Sequence, residues 1–305
     1  MRIAFVHSGH SFLPEIEAYK DFFAARNIET VVTDKVSVAT VDCNVEWHFM
    51  GHHFKRNQSD RILIHEYTSC SVPPLAGWKN MAKKFLNCKP DYRLFLNNWV
   101  KNKFGFADDI TSGIRDMGVT EYFFQASESE MKEFDFIYTG DTSAPRKLKR
   151  LLDYFTTGNM KQQSFLILSH HYNLLAESLK PYKNIRFAGP VPHKDVPRFL
   201  SKARFAINFI PDIEPFNEQT STKVLEYCAA KIPVISTNYH WVNNFIEQQG
   251  ASFFLLNDDL SNFTWENVCR FSYQFPDLSG MTWEKQILHS GIVEFLQTKF
   301  PEVVI

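Results

Sequence analysis

Glu214-Pro-Phe-Asn-Glu218-Gln-Thr-Ser-Thr222-Lys223-Val-Leu-Glu226-Tyr-Cys-Ala-Ala230-Lys-Ile-Pro233-Val-Ile-Ser236-Thr237 runs from a polar loop into a helix and out into a strand. Ser221 and Thr222 are good N-cap residues, so the helix is expected over about 221–230. The β-branched run after Pro233 predicts a strand at 234–236. A helix start offers N–H groups and the positive end of the helix dipole, which together form an anion site. Lys223 in the first turn opposes that dipole by a few tenths to ~1 kcal/mol, a conflict that a bound phosphate resolves. Glu226 lies one turn further on and reaches a hydroxyl pair at the distance of a ribose next to that phosphate.

Working outward, an apolar run at 205–209 and the loop 210–218 precede this helix. Upstream come a strand at 134–139, a helix carrying Leu148, Leu151, Leu152 and Phe155, a strand at 165–168, a helix at 173–180, a strand at 185–188 and a helix at 196–202. An earlier series starts at 2–6, with a helix over 15–27 and a β-branched run at 29–33; further apolar runs follow at 47–50, 61–67 and 92–96. Alternating strands and helices of this kind build parallel sheets with crossover helices. Two such series predict two doubly wound domains. The acidic, polar stretch 125–133 is the expected linker.

Composition narrows the function classes. The chain has 305 residues, 44% of them apolar and 22% charged, which is ordinary globular usage. Basic and acidic residues number 33 and 34, which argues against a chain-wide grip on nucleic acid. Five cysteines are widely spaced with no C-x-x-C, so neither a zinc ribbon nor a thioredoxin-type site is expected. Reduced thiols in a cytoplasmic protein are the plain reading. The N-terminal apolar run is too short for a signal h-region, and no stretch reaches ~18 uninterrupted apolar residues.

The helix and its surroundings resemble the nucleotide-sugar-dependent glycosyltransferases of the GT-B fold, especially the retaining group called family 4. Glu218 and Glu226 are similar to that group's E-x7-E pattern, followed by Ala229-Ala230 and Pro233-Val234-Ile235. Residues 184–192, with Gly189 and Val191, are similar to the strand and loop that edge the nucleobase. Residues 136–140, with Arg146 and Lys147, are similar to the first strand and phosphate loop of the donor domain. Gly140-Asp141, Gln219-Thr220-Ser221 and Lys231 depart from the commonest pattern and are similar to a variant branch with a Lys-x-x-Glu-Tyr core.

The resemblance implies an α/β protein of two Rossmann-like, doubly wound domains facing a cleft. Residues 1–127 would bind the acceptor and 128–282 the donor, and a helix over 283–305 would cross back to the first domain. It implies transfer of a sugar from a nucleotide-diphosphate sugar, UDP- or GDP-linked, to a hydroxyl of a saccharide or lipid-linked acceptor in surface polysaccharide or glycoconjugate assembly. Thr222 and Lys223 would hold the diphosphate, with Gly140 and Arg146 beside it. Glu226 would bind the ribose, backbone near Val191 the base, and Glu218 the donor sugar's hydroxyls. No metal or other cofactor is expected. Two alternatives stay open: a nucleotide-sugar epimerase on the same fold, and a non-catalytic nucleotide- or sugar-binding relative.

In the first half, His10, His52, His53, His65 and Glu66 lie at expected strand ends, where open parallel sheets bind ligands. His10, His52 and His53 are candidate acceptor contacts. If the reaction inverts configuration, Glu66 or His65 is the candidate base; if it retains, the leaving diphosphate oxygen takes the proton. Residues 71–105 hold seven lysines and arginines against one aspartate, with Trp78, Phe85, Trp99 and Phe104 interleaved. They read either as a patch for anionic lipid at a membrane face or as a solvated helix face with core aromatics.

Overall fold

The computed structural model describes residues 1–9, 13–49, 51–126, 131–142, 148–169 and 173–305, the side chains of 173 and 174 excepted. The chain divides into two compact units, Met1–Gly118 with Met281–Ile305, and Val119–Gly280.

The first unit opens with β1 (Arg2–Val6), α1 (Pro14–Ala24), β2 (Glu29–Thr33), β3 (Val45–Phe49), β4 (Ile62–Tyr67), α2 (Ala76–Leu86), β5 (Tyr92–Phe95), α3 (Asn98–Phe104) and β6 (Ser112–Ile114). All six strands are parallel, in the order β2-β1-β3-β4-β5-β6. The order reverses between β1 and β3, the kind of switch point beside which such sheets bind ligands. Alternation along the strands gives the sheet two different faces. Phe5, Trp47, Phe49 and Ile64 pack with Tyr19 and Phe23 of α1 on one of them. Glu46 and His48 belong to the opposite alternation of β3, and His48 pairs in register with His65 of β4.

The second unit contains α4 (Glu121–Phe124), β7 (Phe134–Thr139), α5 (Leu148–Thr156), β8 (Phe165–Leu168), α6 (Asn173–Leu179), β9 (Ile185–Phe187), α7 (Val196–Leu200), β10 (Ala203–Asn208), α8 (Thr222–Ala229), β11 (Val234–Thr237), α9 (His240–Gln249), β12 (Phe254–Leu256) and α10 (Trp265–Arg270). Its parallel strands run β12-β11-β10-β7-β8-β9, so the reversal falls between β7 and β10. Leu148, Leu151, Leu152 and Phe155 form the apolar stripe of α5 and pack on Phe136, Tyr138 and Phe165.

The segment 283–305, expected as one helix, holds two: α11 (Trp283–His289) and α12 (Ile292–Lys299). They meet at Gly291, whose φ of +73° is strained for other residues. The turn docks on the first sheet through Tyr92, whose hydroxyl donates to the Ser290 carbonyl at 2.8 Å. A Cβ at Gly113 of β6 would lie 1.8 Å from that same carbonyl oxygen, so the approach requires glycine there. Ile287, Ile292 and Leu296 complete the first unit's core. Among the described residues no helix is long and apolar enough to cross a membrane.

Candidate donor site and the polar groups of the first unit

In the second unit, the chain leaves β10 at Asn208 and returns as α8 at the switch point. Asn208 is fully buried and ties three segments together. Its Oδ1 accepts from Ser221 Oγ at 3.0 Å, and its Nδ2 donates to Ser236 Oγ and Tyr239 Oη, both at 2.9 Å. Ser221 precedes α8 but spends its hydroxyl on Asn208 and does not cap the helix. On the other side, Tyr227 of α8 binds the end of β7: its Oη accepts from Thr139 N at 3.0 Å and lies 2.9 Å from Thr139 Oγ1. The start of α8 is thereby fixed between the carboxyl ends of β7 and β10.

Lys223 in that first turn carries its Nζ 4.5 Å from the centre of the Tyr138 ring and 3.5 Å from the Tyr138 hydroxyl. Tyr138 Oη in turn donates to the Asp141 carbonyl at 2.6 Å. Gly140 has φ +119°, and a Cβ there would sit 3.4 Å from Lys223 Cδ. Thr222, Lys223 and Gly140 are thus together, as the sequence reading grouped them. Glu226, nearly buried, holds its Oε1 2.6 Å from His193 Nε2, while His193 Nδ1 lies 2.6 Å from Tyr122 Oη. His193 was not singled out in the sequence, although it stands two residues after Val191 in the loop assigned to the base. Val191 is half-buried. Glu218 sits in the loop before α8 with its Oε2 3.6 Å from His240 Nε2. Arg146 lies outside the described residues.

The first unit corrects two expectations. Glu66 has no exposed surface: Arg115 binds its Oε1, with Nε at 2.9 Å, and Trp47 Nε1 donates to its Oε2 at 2.7 Å. Glu15 shares the same guanidinium at 3.4 Å; burial, followed by the Glu66 charge among the raising effects, outweighs Arg115 and lifts its carboxyl above the usual range. His65 is equally enclosed, with Nε2 3.0 Å from His53 Nδ1. Burial pushes its imidazole well below the ordinary value, and that of His53 down to about 4. A base has to come within hydrogen-bond reach of the acceptor hydroxyl; the structure gives Glu66 and His65 internal partners instead. The sequence could not show this, because the residues that enclose them come from distant segments. His53, an expected acceptor contact, is buried too; His52 is exposed, stacked on Phe54, and His10 lies outside the described residues.

No metal was expected, yet two groups of side chains in this unit hold their donor atoms within 4.8 Å of one another: His53, His65 and Cys88, and Glu46, His48 and His53.

Residues 125–266 match the family described as Glycosyl transferases group 1. The matched residues lie within the second unit. That match contains β7 through β12 and every donor-side residue named above except Tyr122. No curated protein sequence matches the chain. Among solved structures, HepE of Anabaena, in complex with UDP and glucose, is similar over 99% of each chain with 11% identity and a TM-score of 0.64. The sucrose-phosphate synthase of Thermosynechococcus elongatus is similar over 99% of this chain and 98% of its own, with 10% identity and a TM-score of 0.64. AviGT4, a glycosyltransferase involved in avilamycin A biosynthesis, gives 11% identity and 0.57 over 99% and 98%. At these identities the likeness is one of fold. The chain has the α/β fold of two six-stranded parallel sheets, GT-B-like, that these proteins have.

Proposed function

We propose that this protein transfers a glycosyl group from a nucleoside-diphosphate sugar to a hydroxyl acceptor, and that the glycosyltransferase group 1 domain holds the donor. The observation that carries this reading is the pairing of Lys223 and Glu226 one turn apart on α8, beside Gly140 at the end of β7. The start of α8 and Lys223 take the diphosphate, Glu226 the ribose hydroxyls, backbone at Val191 the base and Glu218 the donor sugar. Cleavage of the sugar–phosphate bond leaves negative charge on the diphosphate. Lys223 and the helix start stabilise that charge more in the transition state than in the ground state, which is what accelerates the step. In this reading the charge is carried by protein groups without a metal at the phosphates. UDP is the first nucleotide to try, since HepE was solved with it.

Retention of configuration is the stereochemistry we favour. It needs no protein base on the acceptor, because the departing diphosphate oxygen takes the proton. The enclosure of Glu66 and His65 supports it.

The first unit takes the acceptor, a saccharide or a lipid-linked one, at the cytoplasmic face of a membrane. On α2 only Asn80 is buried. Trp78 and Phe85 are 72% and 70% exposed, with Leu75, Met81 and Leu86 exposed beside them and Lys79, Lys83 and Lys84 on the same helix. Exposed aromatics next to lysines on one short helix suit an anionic lipid surface.

Thermal unfolding with millimolar UDP, GDP, ADP or CMP tests the donor site. A nucleotide at about 100 times its Kd adds about 2.7 kcal/mol, a rise of a few degrees in Tm. The expected result is a rise with one nucleotide that Lys223→Ala abolishes; no rise with any of them overturns the reading. A sugar nucleotide converted to its epimer without acceptor would assign the domain to a different reaction.

A further inference from the structure

Three side chains of the first unit converge on one point from separate parts of the chain: His53 after β3, His65 on β4 and Cys88 between α2 and β5. His53 Nδ1 lies 3.0 Å from His65 Nε2 and 3.5 Å from Cys88 Sγ. Tetrahedral zinc with its usual bond lengths separates two nitrogens by about 3.3 Å and a nitrogen from a sulfur by about 3.6 Å. The two measured separations stand near those spacings, and the three donor atoms lie within 4.8 Å of one another.

Hydrogen bonding alone accounts poorly for the cluster. A neutral His53 Nδ1 has either one lone pair or one proton to share between two neighbours. A cation held by the facing lone pairs removes the competition at Nδ1. The second group, Glu46, His48 and His53, is less suited to one ion. The His48 and His53 rings are stacked, with centres 3.8 Å apart and planes 11° apart, and ring lone pairs lie in the ring plane. The His53 and His65 rings are inclined at 61°.

We propose that His53 Nδ1, His65 Nε2 and Cys88 Sγ form a site for a zinc-like divalent cation. Two imidazoles and a thiolate are donors that favour zinc over magnesium or calcium. Binding converts the Cys88 thiol to thiolate and releases its proton to solvent. Cys88 also lines a cavity of about 310 Å³ with Tyr67, Lys84, Lys89 and Arg93, from which water or a small anion completes a tetrahedral set.

The test is titration of the full-length, chelator-stripped and reduced protein with Co²⁺, followed by displacement with Zn²⁺. The expected result is one Co²⁺ per chain, with tetrahedral visible bands and a near-ultraviolet thiolate charge-transfer band, all bleached by one equivalent of Zn²⁺. Cys88→Ser should remove the charge-transfer band and weaken binding at least tenfold, while Cys269→Ser leaves both unchanged. His53→Gln serves as the second variant, and retention of the far-ultraviolet spectrum shows that each variant folds. Absence of tetrahedral Co²⁺ bands in the wild type overturns the proposal. So does a bound Co²⁺ without a thiolate band, which points to Glu46, His48 and His53, or a band that survives Cys88→Ser.

Discussion

His193 Nε2 stands 2.6 Å from Glu226 Oε1, so the carboxylate assigned to the ribose is held from the side by a ring that is itself held by Tyr122. Glu226 is therefore aimed before any ligand arrives. Glu226→Ala should weaken nucleotide binding by about 1.5–3 kcal/mol, a factor of roughly 10 to 150, as for hydrogen bonds to a charged group. His193→Ala leaves the carboxylate in place but frees its rotamer, and its effect should be several-fold smaller. Calorimetric titration with the nucleotide that stabilises the wild type measures both. Equal losses in the two variants would mean that His193 touches the ligand.

Gly140→Ala probes the fit between the end of β7 and Lys223. The position has φ +119°, and the new methyl group would press on the Lys223 side chain. Backbone strain of this kind costs about 1–3 kcal/mol. The variant is expected to melt lower and, where it remains folded, to turn over more slowly. Lys223→Ala should melt near the wild type yet lose about 10²-fold or more in kcat, since in the proposed reaction its charge acts on the leaving diphosphate.

Stability should depend on pH through Glu15. Its folded carboxyl titrates above the ordinary value because burial disfavours the charge. Between the ordinary value and the folded one, the native state binds more protons than the unfolded state, so stability falls as pH rises through that window. Glu15→Gln keeps the neutral shape. It should be more stable than wild type at pH 7 by about 1 kcal/mol, and the gain should vanish below about pH 4.5. Urea unfolding across pH reads the difference directly; a Gln variant less stable at neutral pH would show that the ionised pair with Arg115 is favourable.

Trp78 and Phe85 give the proposed membrane contact its measurable handle. Vesicles rich in anionic lipid should sediment the wild type and should bind Trp78→Ala/Phe85→Ala at least tenfold more weakly, with uncharged vesicles binding neither. Both side chains are exposed, so the double variant should fold as the wild type does.

Much of the fold could be read in advance where burial is two-sided. The strands at 2–6, 134–139 and 165–168 are short apolar runs, and they appear at the expected places. Ser112-Gly113-Ile114 carries no such run; what makes it a strand is pairing with β5 and room for the Ser290 turn. The break between α11 and α12 rests on one glycine inside an otherwise helical pattern. On the donor side, Lys223 and Glu226 belong to one helix, and local spacing placed them. In the first unit, His53, His65 and Cys88 meet only because β3 and β4 align His48 with His65, a register that local spacing cannot reveal. Glu66 looked available for the same reason: Arg115, which encloses it, lies 49 residues away in the chain.

The path of the chain imposes an order on synthesis. Residues Val119–Gly280 are inserted between two parts of the first unit. A ribosome therefore makes all six strands of the first sheet, then the whole inserted unit, and only afterwards the helices bearing Ile287, Ile292 and Leu296, which pack on α1 and β5. The unit begun first is finished last. The part of its core that α11 and α12 close has to wait through the making of 162 residues, during which the inserted unit can close on itself. Exposure to chaperones during translation should accordingly fall on the amino-terminal unit.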